Sequence, residues 1–195
     1  RDVTSSHQYA GAVANRMTLA LAPNQDLRAT VEWPAKSQLL IARTTPTFPA
    51  SPVDPFTFDT ASIQLAGSAT ARIEALTLTV DNQLEGIASL NNSAVISKIR
   101  ATGPQMIRVS GTLDFADVAE QLDFINQTER VLKLNVTRAQ SFSMLIDIPR
   151  FVYTAFPLGM SGPGRQTVAF DGIARYLQSS LAAIGIQLTT TKSNY

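Results

Sequence analysis

The chain reads as a mainly β protein, a β-sandwich or partly open β-barrel with one flanking α-helix at about residues 115–127. Three observations predict this. Seven or more short stretches alternate apolar and polar residues with a period of two, the mark of half-buried strands. One stretch abandons that period for apolar positions three and four apart, the mark of a helix face. No tandem repeat with the spacing of solenoids or propellers is present, so residues 1–195 are expected to form a single domain around one core.

Taken in order, Met17, Leu19 and Leu21 alternate with Arg16, Thr18 and Ala20. Pro23 and Asn24 then turn the chain into a second strand over 27–33, making a hairpin-like pair. Pro34 ends the pairing of that strand or places it at an edge. Residues 44–60 carry Pro46, Pro49, Pro52 and Pro55 among Phe48, Phe56 and Phe58, too proline-dense for a central strand and too aromatic for a plain linker. The segment is expected to be a long docking loop, with Phe48, Pro49, Phe56 and Phe58 as its contacts, or else a loop folded back over its own core. Strands follow at 73–80, 107–113, 132–137 and 144–148. Between the second and third of these, Val118, Leu122 and Ile125 define a helix over 114–126, with Asp114 or Asp117 able to cap its start. Residues 173–183 read either as a second helix or, in their first part, as the extension of a strand from Val168. Gly185 then leads into a last strand at 186–190.

Only 16% of the residues are charged while 45% are hydrophobic, so much of the surface is neutral polar or apolar. Such a surface suits burial against neighbouring subunits. The net charge of +1 provides no global field for tight nucleic-acid or membrane binding. With no cysteine there are no disulfides, thiolate metal sites or thiol nucleophiles. No stretch approaches the 18 apolar residues of a membrane helix, and residues 1–6 lack the apolar core of a signal peptide. A first residue that is Arg1 reads as a processed terminus or as a portion of a longer product.

Catalytic constellations fare poorly. His7 is the single histidine and lies in a polar stretch, which leaves no triad and no two-histidine zinc site. The segment 159–164 places Ser161 among glycines, but Pro163 stands where a nucleophile elbow needs glycine, and no Lys or Ser/Thr follows as a phosphate cradle requires. A turn between strands is the simpler reading. Asp114 with Asp117, and Glu120 with Asp123, are near enough to pair as acid and base, yet on a helix they form a solvated acidic face. Acceptor patterns for glycosylation at Asn91, Asn126 and Asn135 arise readily in a chain this rich in Asn, Ser and Thr. The expectation is a protein that is not an enzyme and takes neither cofactor nor metal.

The stretch 73–84 (IEALTLTVDNQL) is similar to the strand-plus-asparagine segment of siphophage major tail tube proteins. The stretch 109–115 (VSGTLDF), the helix through Phe124, the strand at Leu132 and the stretch 146–150 (IDIPR) follow in that family's order. Upstream, Tyr9, Ala10 and Gly11 leading into 17–21 also resemble it. The resemblance implies a β-sandwich or barrel subunit, six copies of which close a ring, with rings stacked into a hollow tube for the viral genome. It also implies a virion-tail location after assembly in the host cytoplasm, no membrane, and as partners the chain itself, a tape-measure protein, other tail proteins, and double-stranded DNA passing without specific binding. A bore that lets DNA slide should be negative or near neutral, since a cationic wall would hold phosphates. Asp81, Glu85, Asp114 and Asp147 are the lumen-facing candidates. Two alternatives remain. One is a ligand- or carbohydrate-binding β-sandwich module, with Trp33 and Tyr153 stacking on sugar although both also read as core or interface aromatics. The other is a related ring protein: a tail terminator, a distal tail ring or a contractile-tail inner tube.

Overall fold

A computed structural model of the chain describes residues 5–43, 45, 55–70, 72–90, 95–116, 118–139, 142–158 and 165–190. The strands are β1 (Ser5–Ala10), β2 (Arg16–Leu21), β3 (Arg28–Glu32), β4 (Ser37–Ala42), β5 (Ala61–Leu65), β6 (Ser68–Thr70) and β7 (Ile73–Asp81), followed by β8 (Leu84–Ile87), β9 (Lys98–Ala101), β10 (Met106–Asp114), β11 (Arg130–Ala139), β12 (Phe142–Ala155), β13 (Thr167–Ala174) and β14 (Gly185–Thr189). The helix α1 spans Ala119–Ile125, and a short 3-10 turn covers Phe58–Thr60. The fold is mainly β with one flanking helix, as the periodicity predicts.

Ten strands form one open sheet in the order β3-β2-β7-β10-β13-β12-β11-β5-β6, with β14 added beside β12. The sheet does not close. Leu76 and Leu78 of β7 and Val109 of β10 meet Leu132 and Leu134 of β11 and Ile146 and Ile148 of β12 around a gap of only about 10 Å³. The two halves of the sheet therefore face one another as a sandwich. Its core is dense because alternate residues on each strand point inward. Leu113, Val136 and Val152 are fully buried, and burying a side chain of this kind stabilises the fold by about 1.5–3 kcal/mol.

Several details follow from local chemistry. Asn24 adopts φ 57° in the turn after β2, and the amide of Gln25 closes it on the carbonyl of Ala22. Strand β12 runs through Pro149, which cannot donate to a sheet. The β11 pairing jumps there from Leu132 opposite Ile148 to Arg130 opposite Phe151, so the proline sits at a bulge where no donor is needed. Before the bulge burial alternates through Met144, Ile146 and Ile148, whereas after it Phe151, Val152 and Tyr153 are buried in succession.

Two expectations are corrected. The helix begins later than 114, with Val118 at its N-cap and no side-chain cap. Asp114 is claimed instead as the last residue of β10, opposite Thr167 of β13, while Asp117 lies outside the described residues. Residues 173–183 form no second helix. Strand β13 runs through Ala174, and the chain beyond turns back through a bridge between Leu177 and Ala182. Pairing with both β10 and β12 holds Ile173 in extended backbone.

The chain divides into two compact units. One comprises Arg1–Met17, Thr30–Asp54 and Asp81–Gln105, and the other Thr18–Ala29, Pro55–Val80 and Met106–Tyr195. Among the described residues, every buried apolar side chain belongs to the second.

Candidate functional site

In the smaller unit, β1 and β4 form a two-stranded antiparallel ribbon on their own, with Gln8 opposite Leu39 and Tyr9 opposite Gln38. Residues directly opposite share a face, so Leu39 and Ile41 lie on one side and Leu40 with Tyr9 on the other. All four are exposed, Leu39 to 57% and Leu40 to 64%. A ribbon with apolar groups bare on both faces has no core of its own, and an isolated pair of strands is at best marginally stable in water. His7 lies in this ribbon, exposed, with its ring Nδ1 against the side-chain amide of Gln38.

Polar bonds tie together much of the rest of this unit. Arg16 donates Nε and Nη2 to Asp81 Oδ2 at 3.1 and 2.8 Å, and Glu32 lies 3.7 Å from Arg16 Nη1. The hydrogen bond to Asp81, and after it the charges of Asp81 and Glu32, push the Arg16 guanidinium above its usual range. The other Asp81 oxygen accepts from the Gln83 amide at 2.9 Å. Glu85 of β8 stands opposite Arg100 of β9.

In the larger unit, Asp114 accepts from Arg165 at 3.2 Å, and Asp147 of β12 sits opposite Lys133 of β11 with 3.9 Å between carboxylate and ammonium. Asp81 and Glu85 thus belong to one unit and Asp114 and Asp147 to the other, each facing a cationic residue. The face that carries Lys133 and Asp147 continues into Ser62, Gln64, Asn135, Ser143, Gln187 and Thr189. Together with Lys133 and Leu145 these line an open groove of about 290 Å³, and most of its lining is neutral and polar.

Phe56 and Phe58 are half-buried within their own unit. The Phe56 carbonyl accepts from Leu27, the Phe58 amide donates to Gln25, and the Phe58 ring borders a groove with Leu21, Ile63 and Ile73. Phe48 and Pro49 lie outside the described residues, as does the segment 159–164. Tyr153 is buried, in edge contact with Phe151, Phe156 and Phe170 at centroid distances of 4.8, 5.6 and 5.6 Å. Burial, with the nearby charge of Asp123, pushes its hydroxyl up to about 12. No sugar can stack on it. Trp33 is exposed.

Helix α1 is inverted relative to the solvated acidic face that its sequence suggests. Glu120 and Asp123 are its buried residues. Asp123 accepts a two-point bond from Arg130 at 2.8 and 2.7 Å, and Glu120 pairs with Arg72. The side chain of Gln127, just past the helix, donates to the Tyr153 carbonyl at 3.3 Å and ties the helix end to β12. The guanidiniums of Arg72 and Arg130 claim the acidic side, and the apolar side turns outward. Val118 is 54% exposed, Leu122 49% and Ile125 61%. Sequence reasoning found the stripe and missed its direction, which is set by the pairing of Arg72 with Glu120 and of Arg130 with Asp123.

Among the described residues no helix is long and apolar enough to cross a membrane. A family model described as phage tail tube protein matches residues 1–174. A chain in the solved structure titled virion of native gene transfer agent (GTA) particle is similar over 68% of this chain and 97% of its own, at 14% identity and a TM-score of 0.45. No curated protein matches.

Proposed function

The chain belongs to the phage tail tube protein family, and from that premise we propose that it is the repeating subunit of a hollow tail tube. Copies close into rings, six to a ring, and the rings stack into a conduit for the genome. The observation that carries this reading is the β1–β4 ribbon, where Leu39, Leu40 and Ile41 stand exposed in succession in a unit with no buried apolar side chain among the described residues. Neighbouring copies supply the missing core, and ring closure disposes of the open sheet edges at β3 and β6.

The docking role proposed for residues 44–60 falls to Phe48 and Pro49, since Phe56 and Phe58 pack at home. Asp81, Glu85, Asp114 and Asp147 each face a cation, which favours a bore whose charge sums to near zero or below and lets DNA slide. The subunit works in the virion tail after assembly in the host cytoplasm. Its partners are further copies of the chain, a tape-measure protein and other tail proteins, and no catalysis is involved. Electron microscopy of the purified chain tests the reading. Rings or tubes at micromolar concentration are expected, and a strict monomer across a range of salt overturns it. Deleting residues 46–55 should leave a folded subunit that no longer polymerises, and normal tubes from that deletion would remove the docking role.

A further inference from the structure

We infer that the outward apolar stripe of α1 is a subunit interface, covered in the assembly by the β1–β4 ribbon of a second copy of this chain. The inference rests on the tube-subunit reading and names the contact that reading leaves open.

Four observations converge on it. First, the stripe faces outward for a stated reason. Asp123 holds Arg130 by two hydrogen bonds and Glu120 holds Arg72, so rolling the helix to hide Leu122 would break both pairs. Second, the stripe is continuous, since Val118, Leu122 and Ile125 follow at intervals of four and three and lie on one face. Third, the ribbon offers the complementary surface, because Leu39 and Ile41 project from one face two residues apart, about 6.6 Å along a strand. Val118 and Leu122 are about 6 Å apart along the helix axis, so the two aliphatic pairs match in spacing. Fourth, neither surface carries a repelling charge. Leu39 and Ile41 stand opposite Gln8 and Ser6, and the carboxylates of α1 point away from the stripe.

The absence of cysteine makes the test direct. Leu122→Cys and Leu39→Cys are prepared as separate proteins, mixed, assembled and oxidised. A disulfide dimer is expected from the mixture and not from either protein alone. In parallel, Leu122→Lys should keep the wild-type far-ultraviolet circular dichroism, because the side chain is half exposed in the subunit. It should also raise the concentration at which rings appear by at least about tenfold, since burying one leucine is worth a decade or more in association. Wild-type rings from Leu122→Lys, with Leu122→Cys still open to a maleimide in the assembled state, overturn the inference and leave the tube reading standing. A wild-type chain that never assembles overturns both.

Discussion

The inverted helix makes a quantitative claim about Arg72. The Glu120 side chain is 10% exposed and that of Arg72 23%, and Glu120 Oε2 is enclosed without a hydrogen-bond partner in the structure described. Replacing Arg72 by Met strands a carboxylate in a site already short of donors, while the bond from the Asp114 amide to the Arg72 carbonyl survives the substitution. Breaking one side of a buried ion pair costs about 3–5 kcal/mol. Partial exposure of Arg72 argues for the lower end, about 3 kcal/mol. With a urea slope of about 2 kcal/mol/M for a domain of this size, the midpoint should fall by about 1.5 M. The double variant Arg72→Met with Glu120→Leu removes the charge along with its partner, and should recover most of the loss. The assay is urea unfolding followed by circular dichroism, at a concentration where the wild type sediments as a monomer. A single variant that costs less than about 1 kcal/mol, or a double variant no better than the single, would refute the claim that Glu120 is buried by its pairing.

Three further outcomes follow. The Tyr153 hydroxyl, raised by burial to about 12 against an ordinary 10, contributes stability that is full below pH 10 and lost as pH rises through 12. Tyr153→Phe should therefore match the wild type at pH 8 and outlast it at pH 11.5 in thermal melts. Glu129, held below its ordinary value chiefly by a hydrogen bond from Arg150, contributes stability present above about pH 4.5 and lost as pH falls through its lowered value. Arg150→Met should accordingly flatten the acid limb of the melting profile. A methyl at Gly172 would overlap the Phe151 ring and meet the Val152 carbonyl oxygen at 2.7 Å. Gly172→Ala should then lower stability by about 2 kcal/mol, and calorimetry showing no loss would mean the aromatic cluster yields freely.

How much of this was legible in the sequence depended on whether a strand has one wet face. Strands β2, β10 and β11 bury one side only, so Leu19 and Leu21, Val109, and Leu132, Leu134 and Val136 write a period of two that can be read directly. Strand β4 buries neither side, so Leu39, Leu40 and Ile41 run together and the period vanishes. The β5–β6 hairpin hid for another reason. Its two-residue turn has φ 54° at Ala66 and 82° at Gly67, a left-handed pair that Asn-Gly would announce and Ala-Gly does not. Helix α1 was visible from its spacing, but its facing was not, because Arg72 and Arg130 act from 48 and 7 residues away. The proposed contacts of residues 44–60 and the four acidic candidates were visible only as residue types, since strand parity does not say which face of a sheet meets a neighbour.

The same pairing sets the character of the assembly. Arg16, Arg72, Arg130, Arg150 and Arg165 each hold a carboxylate of their own chain, and Lys133 faces Asp147. These pairs are satisfied within the subunit, and in the assembly proposed above recognition between copies rests on the bare aliphatic groups of β4 and α1. Contacts of that kind are not screened by salt, and strongly hydrated anions strengthen them. Rings should therefore form at nearly the same protein concentration in about 50 and about 500 mM sodium chloride, and at a lower concentration in sulfate. DNA held by phosphate contacts behaves in the opposite way, its affinity falling by about a decade for each phosphate over a tenfold rise in salt. Light-scattering titrations decide the matter. Assembly that dissolves as sodium chloride rises would mean that copies meet through ion pairs, and the apolar ribbon and stripe would lose their role as the recognition surface.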